Sequence, residues 1–152
     1  MVFAKLSLKA RALRLLAQRE HSRSELEAKL ARHVQEGENL AALLDELQAR
    51  DFINAGRVAE SVVHRRAARF GSRRVAQELR SKGLDEDIVR ATAAQLADTE
   101  LDRARAVWRQ RFGGAPPAAT PQERARQMRF LAARGFAADV VRRVLQGGDD
   151  DE

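Results

Sequence analysis

The chain has 152 residues, is 33% charged and only 5% aromatic, and carries a formal net charge of +6. It has no cysteine, which excludes disulfides, thiol chemistry and thiolate metal sites. No stretch has the apolar length of a bilayer span or the core of a signal peptide, so a cytoplasmic location is expected.

Ala, Leu, Arg, Gln and Glu dominate, and apolar residues recur at three- and four-residue spacing, which predicts helix nearly throughout and no strand. The first set of helices is predicted over residues 8–19, 23–33 and 40–49, with Ser22-Arg23-Ser24-Glu25 as a capping box. The second is predicted over 55–70, 73–82 and 86–96. Ser72 is expected to cap its middle helix and Asp85 its last, while Gly83 followed by Leu84 reads as a left-handed C-cap. The third is predicted over 100–112, 121–134 and 138–145. It contains a Gly- and Pro-rich loop at 113–119, a capping box at Thr120–Glu123 with Pro121 in the first helical position, and a second C-cap at Gly135-Phe136. The acidic residues at 148–152 read as a frayed tail.

These sets echo one another. Arg73 to Leu84 runs from a basic start to Leu79, then Lys82, Gly83 and Leu84. Arg124 to Phe136 repeats this with Leu131, Arg134, Gly135 and Phe136. An aliphatic pair follows each at the same offset, Ile88-Val89 and Val140-Val141. Residues 24–33 with Leu43-Leu44 form a looser copy. A period of roughly fifty residues predicts an all-α fold of three tandem three-helix repeats, 1–50, 51–98 and 99–147, in an elongated, curved array of helix-turn-helix-like units. Each unit is near the lower size limit for standing alone and is expected to lean on its neighbours, and the scarcity of aromatics predicts modest, bendable junctions.

Such arrays present binding surfaces, and the chemistry agrees. His21, His33 and His64 lack ligand spacing and are expected at the surface or at helix ends, so neither metal nor cofactor is implied. There is no Gly-rich phosphate loop. The acids Asp45-Glu46, Asp85-Glu86-Asp87 and Asp98/Glu100/Asp102 read as cap and dipole partners rather than an acid–base pair, and nothing points to an enzyme.

Arginine supplies almost all the positive charge, 24 residues against 4 lysines. Its planar fork suits phosphate and carboxylate, although GC-rich coding raises Arg and Ala as well. Between Arg57 and Lys82 eight basic residues face only Glu60 and Glu78, a local net of +6. Arg65 and Arg69 lie four apart at the edge of an apolar helix face, and Arg66 falls within that face, where its head must snorkel or the helix end must be open. Arg73 and Arg74 stand at a helix N-terminus against the dipole, which hints at an external anionic partner. Arg80 and Lys82 sit at a C-terminus, where capping explains them equally well. Arg124, Arg126 and Arg129 form a second group. Phosphate contact is supported and base readout is not. A merely solvated charged face is the alternative.

The segment Phe70 to Leu84 resembles the central signature of the RecX family, bacterial modulators of the RecA recombinase. Asp51 to Glu60 is similar to the stretch leading into that family's Arg-Phe-Ala-Glu motif, and Ala12 to Leu26 to its first helix and His-Ser-Arg turn. Val58 replaces the usual Phe, Asn54 a common Asp and Ser72 a frequent Pro, none of them among the basic residues. The resemblance spans about residues 8–146. It implies a regulator that binds in the groove of the RecA–single-stranded DNA filament, bridges RecA subunits, and suppresses ATP hydrolysis, strand exchange and LexA cleavage. On that reading Arg65, Arg66, Arg69, Arg73 and Arg74 meet acidic RecA side chains or DNA. No long apolar stripe is left over for a second copy, so a monomer is expected. The rival expectation is a sequence-independent binder of single-stranded, possibly double-stranded, DNA that acts without RecA.

Overall fold

A computed structural model describes residues 5–113 and 118–147. Among them the fold is all helical, with eight α-helices: α1 Leu8–Gln18, α2 Arg23–Leu30, α3 Leu40–Ala49, α4 Ala55–Arg66, α5 Ser72–Ser81, α6 Glu86–Phe112, α7 Pro121–Ala133 and α8 Ala138–Gln146. A 3-10 turn, Ala31–His33, follows α2. The acidic tail at 148–152 lies outside the described residues.

The apolar spacing builds three separate cores. Leu8, Ala12, Leu26, Leu30, Leu43, Leu44, Leu47 and Ile53 form the first, drawn from α1–α3 and the turn after them. Val62, Val75, Leu79, Val89 and Leu96 lead the second, and Val107, Leu131, Phe136, Val141 and Val144 the third. A fully buried aliphatic side chain contributes about 1.5–3 kcal/mol relative to exposure, so each small core carries its own set and little more.

Nine helices become eight because α6 runs 27 residues without a break through the predicted boundary at 98–99. Thr99, a poor helix former, is held there by its side chain, whose Oγ1 donates to the Leu96 carbonyl and accepts from Arg103 Nε at 3.1 Å. Arg103 also donates to the carbonyls of Ala67 and Phe70, the last residues after α4. The second and third sets therefore share a continuous rod, and the expected bendable junction between them is not present.

The sets meet through one joint used twice. In each, the turn after the second helix of one set seats on the N-terminus of the second helix of the set before. At the first, Ser22 Oγ accepts the Glu25 N–H at the start of α2 and donates to the Lys82 carbonyl at 2.6 Å. At the second, the Gly71 N–H donates to the Arg134 carbonyl at 2.8 Å and the Arg73 N–H to the Gly135 carbonyl at 3.1 Å. Gly83 and Gly135, at φ +75° and +89°, are the left-handed C-caps read from the sequence. They also let backbone approach backbone: a Cβ on Gly135 would strike the main chain of Arg74, and one on Gly83 would strike Ser24.

Local expectations fare unevenly. The Ser22–Glu25 capping box forms, and Thr120 accepts the Glu123 N–H with Pro121 in the first turn. Ser72 is not an N-cap; it is the first residue of α5, and Gly71 precedes it without a side-chain cap. Glu100, buried in α6, takes over the task by accepting both the Ser72 N–H and its hydroxyl at 3.0 Å. Glu100 is therefore neither at a helix start nor exposed. Asp85 precedes α6 but makes no side-chain cap bond. His21 is also interior, not surface: it bonds the Arg19 carbonyl through Nδ1 and Lys29 Nζ through Nε2, both at 3.0 Å. In the first set Glu38 folds its turn back on α1, accepting the N–H groups of Leu8 and Gln35.

Candidate partner-binding surface

The basic run divides into cations that are spent within the fold and cations that are free. Arg57 is held by Glu20 and Asp51 at 2.9 and 2.8 Å. Arg80 forms a two-pronged contact with Glu86, and Lys82, largely buried, lies 3.3 Å from Glu25 at the first joint. Arg80 and Lys82 thus serve α6 and the joint, and do not join the central group. Arg65, Arg69, Arg73 and Arg74 are exposed and pair with no acid among the described residues. Arg66 snorkels from the apolar arc of α4 toward Glu78, a loose pair at 3.4 Å.

Phe70 organises this surface. It sits half buried between α4 and α5, and three guanidinium groups lie over its ring: Arg74 at 4.8 Å, Arg134 at 5.3 Å and Arg66 at 5.6 Å. Each cation–π contact is worth about 0.5–1 kcal/mol at an exposed site, but three cations around one ring repel one another. Among the described residues only Glu78 pairs with one of them, Arg66. The surplus is the kind of charge that an anionic partner neutralises.

The same arrangement continues into the third set. Arg134 also lies over Phe130 at 5.1 Å. Phe130 meets Phe112 edge-on at 5.3 Å, and Arg126 stands 5.9 Å from Phe112. Arg111 touches both rings. A ladder of rings and guanidinium groups thus joins Arg126 to Arg74 across the second joint. Arg124 and Arg129 are exposed on α7 beside it and pair with no acid among the described residues.

Arg134 and Arg111 were not among the residues singled out from sequence. A signal was present in the four-residue spacing of Phe130 and Arg134, which at the end of a helix brings ring and cation together. Phe70 and Arg74 share the spacing but straddle the turn into α5, so the turn and not a helix face brings them together. α5 separates two open clefts of about 520 and 510 Å³, and Arg74 and Gln77 line both. No group of three or more His, Cys, Asp or Glu side chains placed to hold a metal ion occurs among the described residues.

The geometry defines an all-helical repeat protein with an extended arginine surface. Comparison with known sequences gives the lineage. Residues 56–92 match the family model for the second three-helix domain of RecX, and residues 98–145 match that for the third. The chain is 53% identical over 146 residues to the regulatory protein RecX of Leptothrix cholodnii, covering 96% of this chain and 92% of that protein. It is 51% identical over 144 residues to its namesake in Ralstonia nicotianae, covering 95% and 89%. The crystal structure of RecX from Lactobacillus salivarius superposes with a TM-score of 0.76 at 20% identity, over 91% of this chain and 92% of that one. The chain belongs to the RecX family of regulatory proteins.

Proposed function

We propose that this protein regulates RecA by lying in the groove of the RecA–single-stranded DNA filament in the cytoplasm. There it inhibits ATP hydrolysis, strand exchange and LexA cleavage. The observation that carries this reading is the arginine–aromatic ladder, which spans two sets held in register by α6 and the second joint. A rigid span of free cations can touch several repeating subunits at once, and weak contacts on one span add as avidity. Arg65, Arg66, Arg69, Arg73, Arg74 and Arg134 form the main contact group, with Arg124, Arg126 and Arg129 as its extension.

The test is ATP hydrolysis by preformed RecA filaments at physiological salt, with this protein far below RecA in amount. Inhibition at that ratio supports filament targeting, since competition for DNA cannot act so sparsely. A second reading, a DNA binder acting without RecA, draws on the lack of acid partners for Arg65, Arg69, Arg73 and Arg74. It requires inhibition only near saturation of the DNA. It also requires DNA affinity that falls on the order of tenfold or more from low to physiological salt.

A further inference from the structure

The first set holds a second cationic feature, remote in sequence from the ladder. A cleft of about 570 Å³ opens between α1, α2 and the 3-10 turn. Leu6, Leu15, Ala28 and Leu30 give it an apolar floor, and Arg11, Arg14, Lys29 and Arg32 ring it. No acidic side chain among the described residues lines it.

The cations are poorly satisfied. Arg11 Nε is buried without a hydrogen-bond partner, an N–H that the fold has desolvated and left unpaired. Arg14 is exposed and meets no acid among the described residues. Arg32 Nε donates only to His33 Nε2, at 3.3 Å, and Lys29 Nζ only to His21. Desolvation first, and then the charges of Arg11 and Arg32, hold the His33 ring below its ordinary pKa; only the second of these causes reflects the positive surroundings. Leu6 is 39% exposed at the mouth, an apolar surface with nothing over it among the described residues.

We infer that this cleft docks an acidic polypeptide segment carrying an apolar side chain between its carboxylates. A carboxylate matches the guanidinium fork and can accept from Arg11 Nε. The apolar side chain covers Leu6 and Leu15. A nucleic-acid backbone supplies the charge but no apolar group for the floor, and no Phe, Tyr or Trp lines the cleft for a base to stack on, His33 being its one ring. The inference does not rest on RecA being the partner.

The probe is a labelled peptide, Asp-Glu-Leu-Glu-Asp flanked by Gly and Ser, added to the full chain. Binding is followed by anisotropy and by amide NMR shifts. Shifts are expected at Leu15, Ala28 and Arg32 and not on α7. Replacing the central Leu by Ser in the peptide, or making the exposed-site variant Arg14→Glu/Arg32→Glu, should each weaken binding about tenfold or more. Equal binding by the Ser peptide, or by the double variant with its helical content intact, overturns the assignment. So does displacement of the peptide by oligothymidylate with shifts at the same residues, which would make the cleft a phosphate site.

Discussion

The second joint can be tested by three glycine-to-alanine substitutions that separate backbone strain from crowding. Gly37 has φ +83° and open space where a Cβ would go. Gly37→Ala therefore meets only the left-handed penalty of about 1–2 kcal/mol, offset by about 0.4–1 kcal/mol from the stiffer unfolded chain. A net loss of about 0.5–1 kcal/mol is expected. Gly71 has φ −79°, which alanine adopts freely, but its Cβ would fall on the Gly135 carbonyl. Gly71→Ala is pure crowding, about 1–3 kcal/mol for a packed site that cannot easily give way. Gly135→Ala combines both, at about 2–4 kcal/mol, or about 10 °C in Tm for a chain of this size. Urea unfolding followed by far-UV circular dichroism gives the three values. Trp108, the single tryptophan, packs on the third core and reports that set separately by fluorescence. If Gly71→Ala costs no more than Gly37→Ala, backbone contact at the joint is not tight, and the rigid span behind the proposed function fails with it.

Glu100→Ala should destabilise by about 2–3 kcal/mol, because Ser72 loses a charged acceptor and its buried N–H goes unpaired; urea titration against Ser72→Ala checks this. Burial alone would raise the Glu25 pKa, but hydrogen bonds from Arg19 and the Ser22 N–H and the charge of Lys82 hold it at about 2. That stability is present above the ordinary 4.5 and drains as pH falls toward about 2, a loss of roughly 2 kcal/mol once solvent screening of these partly exposed charges is allowed for, which Glu25→Gln should abolish in acid titrations. Burial, partly offset by the bond to the Arg19 carbonyl, lowers the His21 pKa. The unfolded chain therefore takes the proton first, and stability should begin to fall as pH drops below the ordinary 6.5; His21→Gln, followed by thermal melts, should diminish that early phase and leave the share of His33, whose pKa is also lowered. Arg73→Glu with Arg74→Glu should weaken filament inhibition by about tenfold or more while circular dichroism stays unchanged, since neither side chain holds an ion pair. Full inhibition by that double variant would remove the centre of the ladder from the site.

What was legible in the sequence is what local chemistry decides. The glycine C-caps at Gly83 and Gly135 and the Ser22 capping box needed only their neighbours to be recognised. What was missed depends on residues far apart in the chain. The continuity of α6 is fixed by Arg103 reaching carbonyls after α4, and the α5 cap comes from Glu100, 28 residues away. His21 is buried because α2 supplies Lys29 to its ring. For the surface, Arg65, Arg66, Arg69, Arg73 and Arg74 were expected as one basic group, and all but Arg66 are without an acid partner among the described residues. Sequence spacing could not tell that Glu86 and Glu25 would claim Arg80 and Lys82. Nor could it show that Arg134 would bridge two rings belonging to different sets.

The repeated joint also gives the chain a direction. Its two halves are a turn that docks and a helix start that receives. At the front of the array the docking turn is already consumed, because Glu38 ties it to the start of α1. At the rear, α7 begins with Thr120, whose hydroxyl accepts the Glu123 N–H and donates to nothing among the described residues, the role Ser22 fills before its joint is made. Among the described residues the first set's turn is thus closed on its own helix, whereas the receiving helix start of the third set is capped but unoccupied by a turn.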